Sequence, residues 1–282
     1  MKIVIFGASG LMGTKLMEKL ISKHEVIGTY FKNPKKGLFA FNATSEGEAK
    51  TFLKKHKPDL IINTIALTSS VLCQKDPLLA KKYNYQTAKN ISLVCKELGV
   101  PLVFISSSYV FDGKEGDYLE NEVPSPITIY GRTKLLAEKE ALKVEENIVL
   151  RVDAIYGFNG RNKNNGILGK IISGEEIFLG GPDQIRQPLL IDDLAGIIIA
   201  LINGKERGIF NVAGPDKISM LDFIKKLEGL VRQGSKVSIL EEKNLLVKPK
   251  KNTSLNIKKI NELGIKTTTL EEGLKRIKEQ LK

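Results

Sequence analysis

Short apolar runs alternate with longer amphipathic segments along the first half of the chain. The apolar runs predict strands at residues 2–6, 26–30, 60–65, 102–106 and 148–152. The segments between them have apolar residues at helical spacing and predict helices at 11–22, 45–56, 78–98 and 130–143, the third closed by Gly99. Strands that alternate with helices of this length indicate a parallel sheet with helices on both faces.

This alternation ends near Tyr156. A Gly- and Asn-rich loop is predicted at 157–165, followed by helices at 166–172, 192–203 and 270–281 and a strand at 208–213. We therefore expect a sheet domain made of residues 1–156 and 190–213. A smaller C-terminal, substrate-binding lobe would be made of residues 157–189 and 214–282.

The composition predicts a soluble globular protein, with 42% hydrophobic and 27% charged residues among 282. No apolar run is long enough to cross a bilayer, and the first apolar run reads as a strand rather than a signal peptide. Cys73 and Cys95 do not have the spacing of a metal or redox pair. These features predict a cytoplasmic protein.

The formal net charge of +12 raises the question of nucleic-acid binding. The lysines are scattered and often stand beside glutamates, and the only compact basic run, 248–251, is broken by Pro249. We interpret the charge as a solvated lysine-rich surface and expect neither a nucleic-acid partner nor a membrane partner. His24 and His56 stand apart, and we expect no metal site.

A glycine-rich turn follows the first predicted strand, with Gly7, Gly10 and Gly13 in the spacing G-x-x-G-x-x-G. Such a turn between a strand and a helix brings backbone N–H groups and the positive end of the helix dipole to a pyrophosphate. The sequence thus predicts a Rossmann-type, doubly wound α/β fold that binds a nicotinamide dinucleotide. The expected contacts in this turn are Gly7, Ser9, Gly10, Leu11, Met12 and Gly13.

The end of the second strand bears on the choice of cofactor. Residues 28–32 contain no acid that would bind an adenosine ribose, and Lys32 lies close by. This favours NADPH, although Lys32 could equally be a surface lysine, and NADH stays open. Tyr30, Lys32, Asn42 and Ala66 complete the expected cofactor-binding residues of this region.

Tyr130 and Lys134 are four residues apart and share one face of a predicted helix. A lysine beside a phenol lowers the pKa of the tyrosine, so Tyr130 is a candidate general acid. Upstream, Ser106, Ser107 and Ser108 place hydroxyls at the carboxyl end of a strand, where open α/β sheets bind ligands.

These motifs together resemble the extended short-chain dehydrogenase/reductase family, including the run 63–66 and Asn84. The resemblance implies that Ser107 polarises a carbonyl, Tyr130 transfers the proton and Lys134 also binds the nicotinamide ribose. It further implies a positional role for Asn84 at the cofactor site.

Within that family the chain is similar to the dTDP-4-dehydrorhamnose reductases, through residues 106–113, 124–134, 183–188 and 208–214. This implies NADPH-dependent reduction of the C4 ketone of a nucleotide-bound 4-keto-6-deoxysugar. The oligomeric state stays open, with a homodimer as one alternative. The substrate residues expected are Ser107, Ser108, Val110 and Arg186, with Arg161 as a further candidate for the diphosphate.

Two segments depart from the reductase pattern. Residues 68–74 lack the expected acids, and residues 153–155 lack the expected aromatic side chain. In both, the chain is similar to the regulatory β subunit of methionine adenosyltransferase. A non-catalytic NADP-binding subunit, another sugar-nucleotide epimerase or reductase, and a reductase of simple carbonyls therefore stay open as alternatives.

Overall fold

A computed structural model describes residues 1–160, 166–231 and 235–282 of the chain. Its centre is a seven-stranded sheet in which every neighbouring pair is parallel, in the order β11-β6-β5-β4-β1-β2-β3. The predicted doubly wound Rossmann-type fold is confirmed. The strands are β1 (Lys2–Phe6), β2 (Glu25–Tyr30), β3 (Phe39–Ala40), β4 (Leu60–Asn63), β5 (Leu102–Ser107), β6 (Ile148–Val152), β7 (Ile155–Tyr156), β8 (Ile177–Leu179), β9 (Ile185–Arg186), β10 (Leu189–Leu190), β11 (Gly208–Val212), β12 (Ile218–Ser219) and β13 (Val237–Ile239).

The predicted helices are present, and most of their ends lie within two residues of those expected, whereas the helices Ser70–Lys75, Met220–Glu228 and Lys258–Glu262 were not predicted. None in the described part of the chain is long and apolar enough to cross a bilayer. They are α1 (Leu11–Leu20), α2 (Glu46–His56), α3 (Ser70–Lys75), α4 (Pro77–Ala80), α5 (Thr87–Leu98), α6 (Ile129–Ala141), α7 (Gly166–Ser173), α8 (Asp193–Asn203), α9 (Met220–Glu228), α10 (Lys258–Glu262) and α11 (Leu270–Gln280), with short 3₁₀ segments at Ser108–Val110 and Glu242–Asn244.

The helix predicted at 78–98 differs in detail from the one observed. It starts at Pro77, capped by the Asp76 side chain, and contains a π-helical segment, Lys81–Gln86, before it continues as α5. Gly99 ends it with φ +65°, as the sequence predicted. The wider π turn lies at Asn84, whose side chain is wholly buried.

Two apolar cores cover the two faces of the sheet. In β1, Ile3 and Ile5 pack with α1 and α8 on one face, while Val4 and Phe6 pack with α2, α5 and α6 on the other. Neighbouring residues of a strand point to opposite faces, so a strand buried on both sides must be continuously apolar. This explains the short apolar runs of the sequence.

A third apolar cluster lies outside the sheet. It joins α7 and β8 to α9 and α11, and Tyr156, Leu168, Phe223 and Ile277 are among its buried members. Two-stranded ladders, β8 with β13 and β9 with β12, connect the segments on either side of α8 and β11.

The 250–256 segment crosses the loop that follows β5. Lys250 donates to the carbonyls of Tyr109 and Phe111, and the Asn252 amide donates to the carbonyl of Gly113 at 2.8 Å. Further along, the Leu255 amide donates to the Gln187 side chain at 2.8 Å. The segment therefore fixes both the 109–113 loop and the start of β10 at the carboxyl edge of the sheet.

Candidate active site

A cleft of about 790 Å³ lies at the carboxyl ends of the parallel strands. Ser107, Tyr130 and Lys134 line it together with the glycine turn, as the sequence predicted for residues of one site. Of the expected ligand contacts, those that line it are Gly10, Leu11, Met12, Gly13, Ala66, Ser107, Tyr130, Lys134 and Arg186.

The glycine turn has the geometry of a dinucleotide site. Gly7 has φ +82°, a conformation that favours glycine. A Cβ on Gly13 would lie 2.4 Å from the Gly7 carbonyl oxygen, so only glycine lets α1 approach β1 this closely. At Gly10, the N-cap of α1, no side chain caps the helix, so its first-turn amides are available for an anion. These features fit a nucleotide pyrophosphate.

The secondary-structure elements around Ser107 and Tyr130 fix the positions of their hydroxyl groups. Ser107 ends β5, and its Oγ accepts a hydrogen bond from the Tyr109 amide at 3.2 Å. Thr128 caps α6 by accepting from the Gly131 amide at 3.0 Å, which places Tyr130 in the first turn and Lys134 one turn later. A Cβ on Gly131 would lie 2.1 Å from the Tyr109 carbonyl oxygen. Glycine there brings α6 against the end of β5.

The electrostatics of the pair differ from the expectation. Burial raises the pKa of Tyr130 to about 12, and a hydrogen bond with Ser107 offsets only part of this effect. Burial also lowers the pKa of Lys134 to about 7, against the attraction of Glu138. The Lys134 Nζ donates to the Ile105 carbonyl at 2.6 Å. The lowered tyrosine pKa that the Tyr–Lys spacing predicted is therefore absent here, because desolvation dominates.

Arg186 lines the cleft, but its guanidinium is already paired. Its Nη2 donates to Asp153 Oδ1 at 2.7 Å and its Nε lies 3.1 Å from the same oxygen. Asp153 is 1% exposed and also accepts from the Ser108 hydroxyl at 2.8 Å and the Gln187 amide at 2.8 Å. Ser108 is buried, its hydroxyl faces Asp153, and it is not among the residues that line the cleft. Its expected contact with substrate stays a prediction.

Val110, another of the expected substrate residues, is also absent from the lining of the cleft. Its side chain is 0% exposed and belongs to a small apolar cluster with Phe111, Tyr118 and Leu255. Leu255 comes from the 250–256 segment, which covers this part of the loop. The Val110 side chain therefore packs against this apolar cluster inside the 109–113 loop and does not line the cleft.

Several expected cofactor residues lie away from the lining of the cleft. Lys32 is exposed, with its Nζ 5.6 Å from the Tyr83 ring centroid. Asn42 accepts from the Thr44 amide and hydroxyl, at 3.1 and 2.7 Å, as an ordinary turn. Tyr30 and Ser9 are likewise outside the lining. The Oδ1 atom of Asn42 is used locally, and the expected contact of this residue with the cofactor stays a prediction.

Asn84 acts on the site indirectly. Its Oδ1 accepts from the Leu67 amide at 2.6 Å, and its Nδ2 donates to Thr133 at 3.1 Å. The buried amide thus ties the Ala66–Leu67 loop, which borders the cleft, to α6. These bonds fit the positional role that the family resemblance implied for Asn84.

The structure adds lining residues that the sequence did not single out. Tyr109 packs edge-on against Tyr130, with ring centroids 5.7 Å apart, and Lys170 and Glu175 reach the cleft from beyond β7. Tyr109 stood inside the quoted 106–113 run, whereas no local pattern marked Lys170. Arg161 lies outside the described residues. Among the residues described, no three His, Cys, Asp or Glu side chains cluster as a metal site would require.

The profile of the RmlD substrate binding domain matches residues 1–282. A probable low-salt glycan biosynthesis reductase of Haloferax volcanii is 27% identical over 96% of this chain and 95% of its own length. Methionine adenosyltransferase 2 subunit beta of Xenopus laevis is 31% identical, but the match covers only 55% of this chain and 47% of that protein.

Among solved structures, dTDP-4-dehydrorhamnose reductase of Bacillus anthracis in complex with NADP superimposes with a TM-score of 0.84. It is 25% identical, and the match covers 98% of both chains. The fold, the residues that line the cleft and the match of the family profile over the whole chain all indicate the same family. This protein accordingly belongs to the RmlD substrate binding domain family of extended short-chain dehydrogenases/reductases and is an oxidoreductase.

Proposed function

We propose that the protein uses NADPH to reduce the C4 ketone of a nucleotide-bound 4-keto-6-deoxysugar. The observation that carries this proposal is that the glycine turn, Ser107, Tyr130 and Lys134 line one cleft. The Bacillus anthracis structure supports it, since that protein is named for such a reduction and holds NADP. A bound nicotinamide would supply the hydride.

The hydroxyl residues would act on the carbonyl oxygen. Ser107 would donate a hydrogen bond to it, and Tyr130 would deliver a proton as negative charge develops there. With a pKa of about 12, Tyr130 holds its proton at neutral pH and can act as the acid. The buried Lys134 would bind the nicotinamide ribose and stabilise the phenolate left behind. Loss of such a proton donor costs about 10²–10⁴-fold in rate.

The third apolar cluster would form the smaller lobe, made of residues 157–189 and 214–282, and hold the nucleotide. Arg186 was the expected diphosphate contact, but its charge is balanced by Asp153. Lys170 on α7 lines the cleft from the side of this lobe and is exposed. We assign the diphosphate contact to Lys170.

The preference for NADPH rests on the absence of an acid in residues 28–32. Lys35 is a further cation near this edge, since its Nζ donates to Thr14 on α1 at 3.1 Å. Cys73 and Cys95 are buried free thiols, which suits the reducing cytoplasm. We further propose that the protein is a homodimer, that it acts in the cytoplasm and that it binds no nucleic acid.

The test is NADPH oxidation by the purified protein with dTDP-4-keto-6-deoxy-L-mannose. We expect turnover that falls at least about 100-fold in Tyr130→Phe. Tyr85→Phe is the matched control, because Tyr85 lies outside the cleft and bonds Glu140. Equal turnover by wild type and Tyr130→Phe would remove Tyr130 from the mechanism.

A second candidate is a non-catalytic NADP-binding regulatory subunit. The 31% match to the methionine adenosyltransferase β subunit favours it, although that match covers about half of each chain. Tight NADPH binding without turnover of any 4-ketosugar nucleotide would select this candidate over the reductase. Turnover by the wild type would reject it.

A further inference from the structure

A buried ion pair lies directly behind the lysine of the cleft. Glu138 is one helical turn after Lys134 on α6 and is 0% exposed. Arg151 donates to its carboxylate through Nη2 at 2.8 Å and through Nε at 3.1 Å. The hydroxyl of Ser106 donates to the same carboxylate. Neither Glu138 nor Arg151 lines the cleft.

The carboxylate connects three elements that shape the site. Ser106 immediately precedes Ser107 on β5, Arg151 lies on β6, and Glu138 belongs to the helix that carries Tyr130 and Lys134. Arg151 also donates through Nη1 to the Glu120 carbonyl at 3.1 Å. A change at Glu138 therefore alters the seating of α6 against the strand that ends in Ser107.

Glu138 also acts on the charge of its neighbour. Lys134 is 1% exposed, its Nζ donates to a backbone carbonyl, and the Phe104 ring centroid is 4.1 Å away. Desolvation disfavours its ammonium form, and Glu138 is the carboxylate whose attraction opposes this.

Other titratable groups of this region come from the packed elements. Cys73 of α3, Tyr109 of the 3₁₀ segment after β5 and Arg186 of β9 act on Tyr130. Arg151 of β6 pairs with Glu138. None of these four supplies a carboxylate. Glu140, on the same helix, pairs instead with Lys143 at 2.8 Å.

We propose that Glu138 is a positioning residue for Lys134: its carboxylate, fixed by Arg151 and Ser106, seats α6 at the end of β5 and opposes the loss of the Lys134 proton. The role of the charge in turnover rests on the proposed reductase function. The effect of Glu138 on the charge itself does not, and it can be measured without substrate or cofactor.

The experiment compares Glu138→Gln with Glu140→Gln, the same substitution two residues along α6. In ¹³C-lysine-labelled protein, with the Lys134 signal identified by its loss in Lys134→Arg, NMR follows its titration. We expect the pKa of Lys134 to fall by about one pH unit in Glu138→Gln, as for loss of a nearby opposite charge. Glu140→Gln should leave it unchanged. An unchanged Lys134 titration in Glu138→Gln would overturn the proposal.

Glu138→Gln leaves Arg151 buried without its anion and can fail to fold. The double variant Glu138→Gln/Arg151→Met removes both charges and is compared with Arg151→Met, because loss of the Arg151 cation alone raises the pKa of Lys134. Under the proposal Lys134 titrates at lower pH in the double variant than in Arg151→Met, and equal titrations would also overturn the proposal. In the assay with substrate, the basic limb of the kcat/KM profile should move to lower pH by the same interval. A wild type without turnover would reject the reductase function, and the titration would still decide the role of Glu138.

Discussion

Removal of the Asp153 carboxylate should destabilise the protein and loosen one wall of the cleft. In Asp153→Asn, Arg186 keeps its charge but loses its anion, and the Ser108 and Gln187 donors lose a charged acceptor. Removal of one partner from a buried ion pair costs about 3–5 kcal/mol. An unfolding entropy of about 2.1 cal/mol/K per residue converts this to a fall in Tm of about 5–8 °C for a chain of this length.

Differential scanning calorimetry and urea denaturation of Asp153→Asn measure both quantities. Asp183→Asn is the control, because Asp183 is exposed and lies three residues before Arg186. In the turnover assay, a freed Arg186 should raise KM more than it lowers kcat, since the carbonyl contacts of Ser107 and Tyr130 remain. A change in unfolding free energy below about 1 kcal/mol, the size of an ordinary substitution, would refute this account of the cluster.

Two further predictions concern lysines of the cleft. Lys170→Ala should raise KM for the sugar nucleotide about 10-fold, because it loses a charged contact worth about 1.4 kcal/mol. Lys226 is an exposed lysine on α9, and Lys226→Ala should leave KM unchanged. Equal KM values for wild type and Lys170→Ala would remove Lys170 from the diphosphate site. Lys134 binds its proton less tightly when folded, with a pKa of about 7 against its usual value of 10.5. Between pH 7 and 10.5 the unfolded chain therefore binds more protons than the folded chain. The contribution of Lys134 to the free energy of unfolding should rise with pH over this window. Urea denaturation of wild type and Lys134→Met from pH 7 to 9 should show a steeper rise in the wild type, and parallel curves would contradict the lowered pKa.

The sequence was sufficient for the sheet and for the local parts of the site. Continuous apolar runs predicted the strands, and the spacing of Gly7, Gly10 and Gly13 predicted the turn, because both are properties of neighbouring residues. The pair Tyr130 and Lys134 was found for the same reason, since four residues make one helical turn.

What the sequence could not predict depends on distant partners. From the sequence alone Arg186 is a free cation, because its partner Asp153 lies 33 residues away along the chain. Val110 reads as an accessible residue until Leu255 covers its cluster. The pKa of Tyr130 depends on burial by several segments, so the spacing of Tyr and Lys gave the wrong direction.

The 250–256 segment has a consequence for how the chain matures during synthesis. It holds the loop after β5 through contacts that span about 140 positions, such as that between Lys250 and Tyr109. A ribosome-bound chain that lacks this segment can form the glycine turn and the first strands, which need only early residues. The 109–113 loop beside Ser107 cannot be fixed until nearly the whole chain has emerged from the ribosome. Nucleotide affinity should therefore arise earlier in synthesis than the capacity to turn over a substrate.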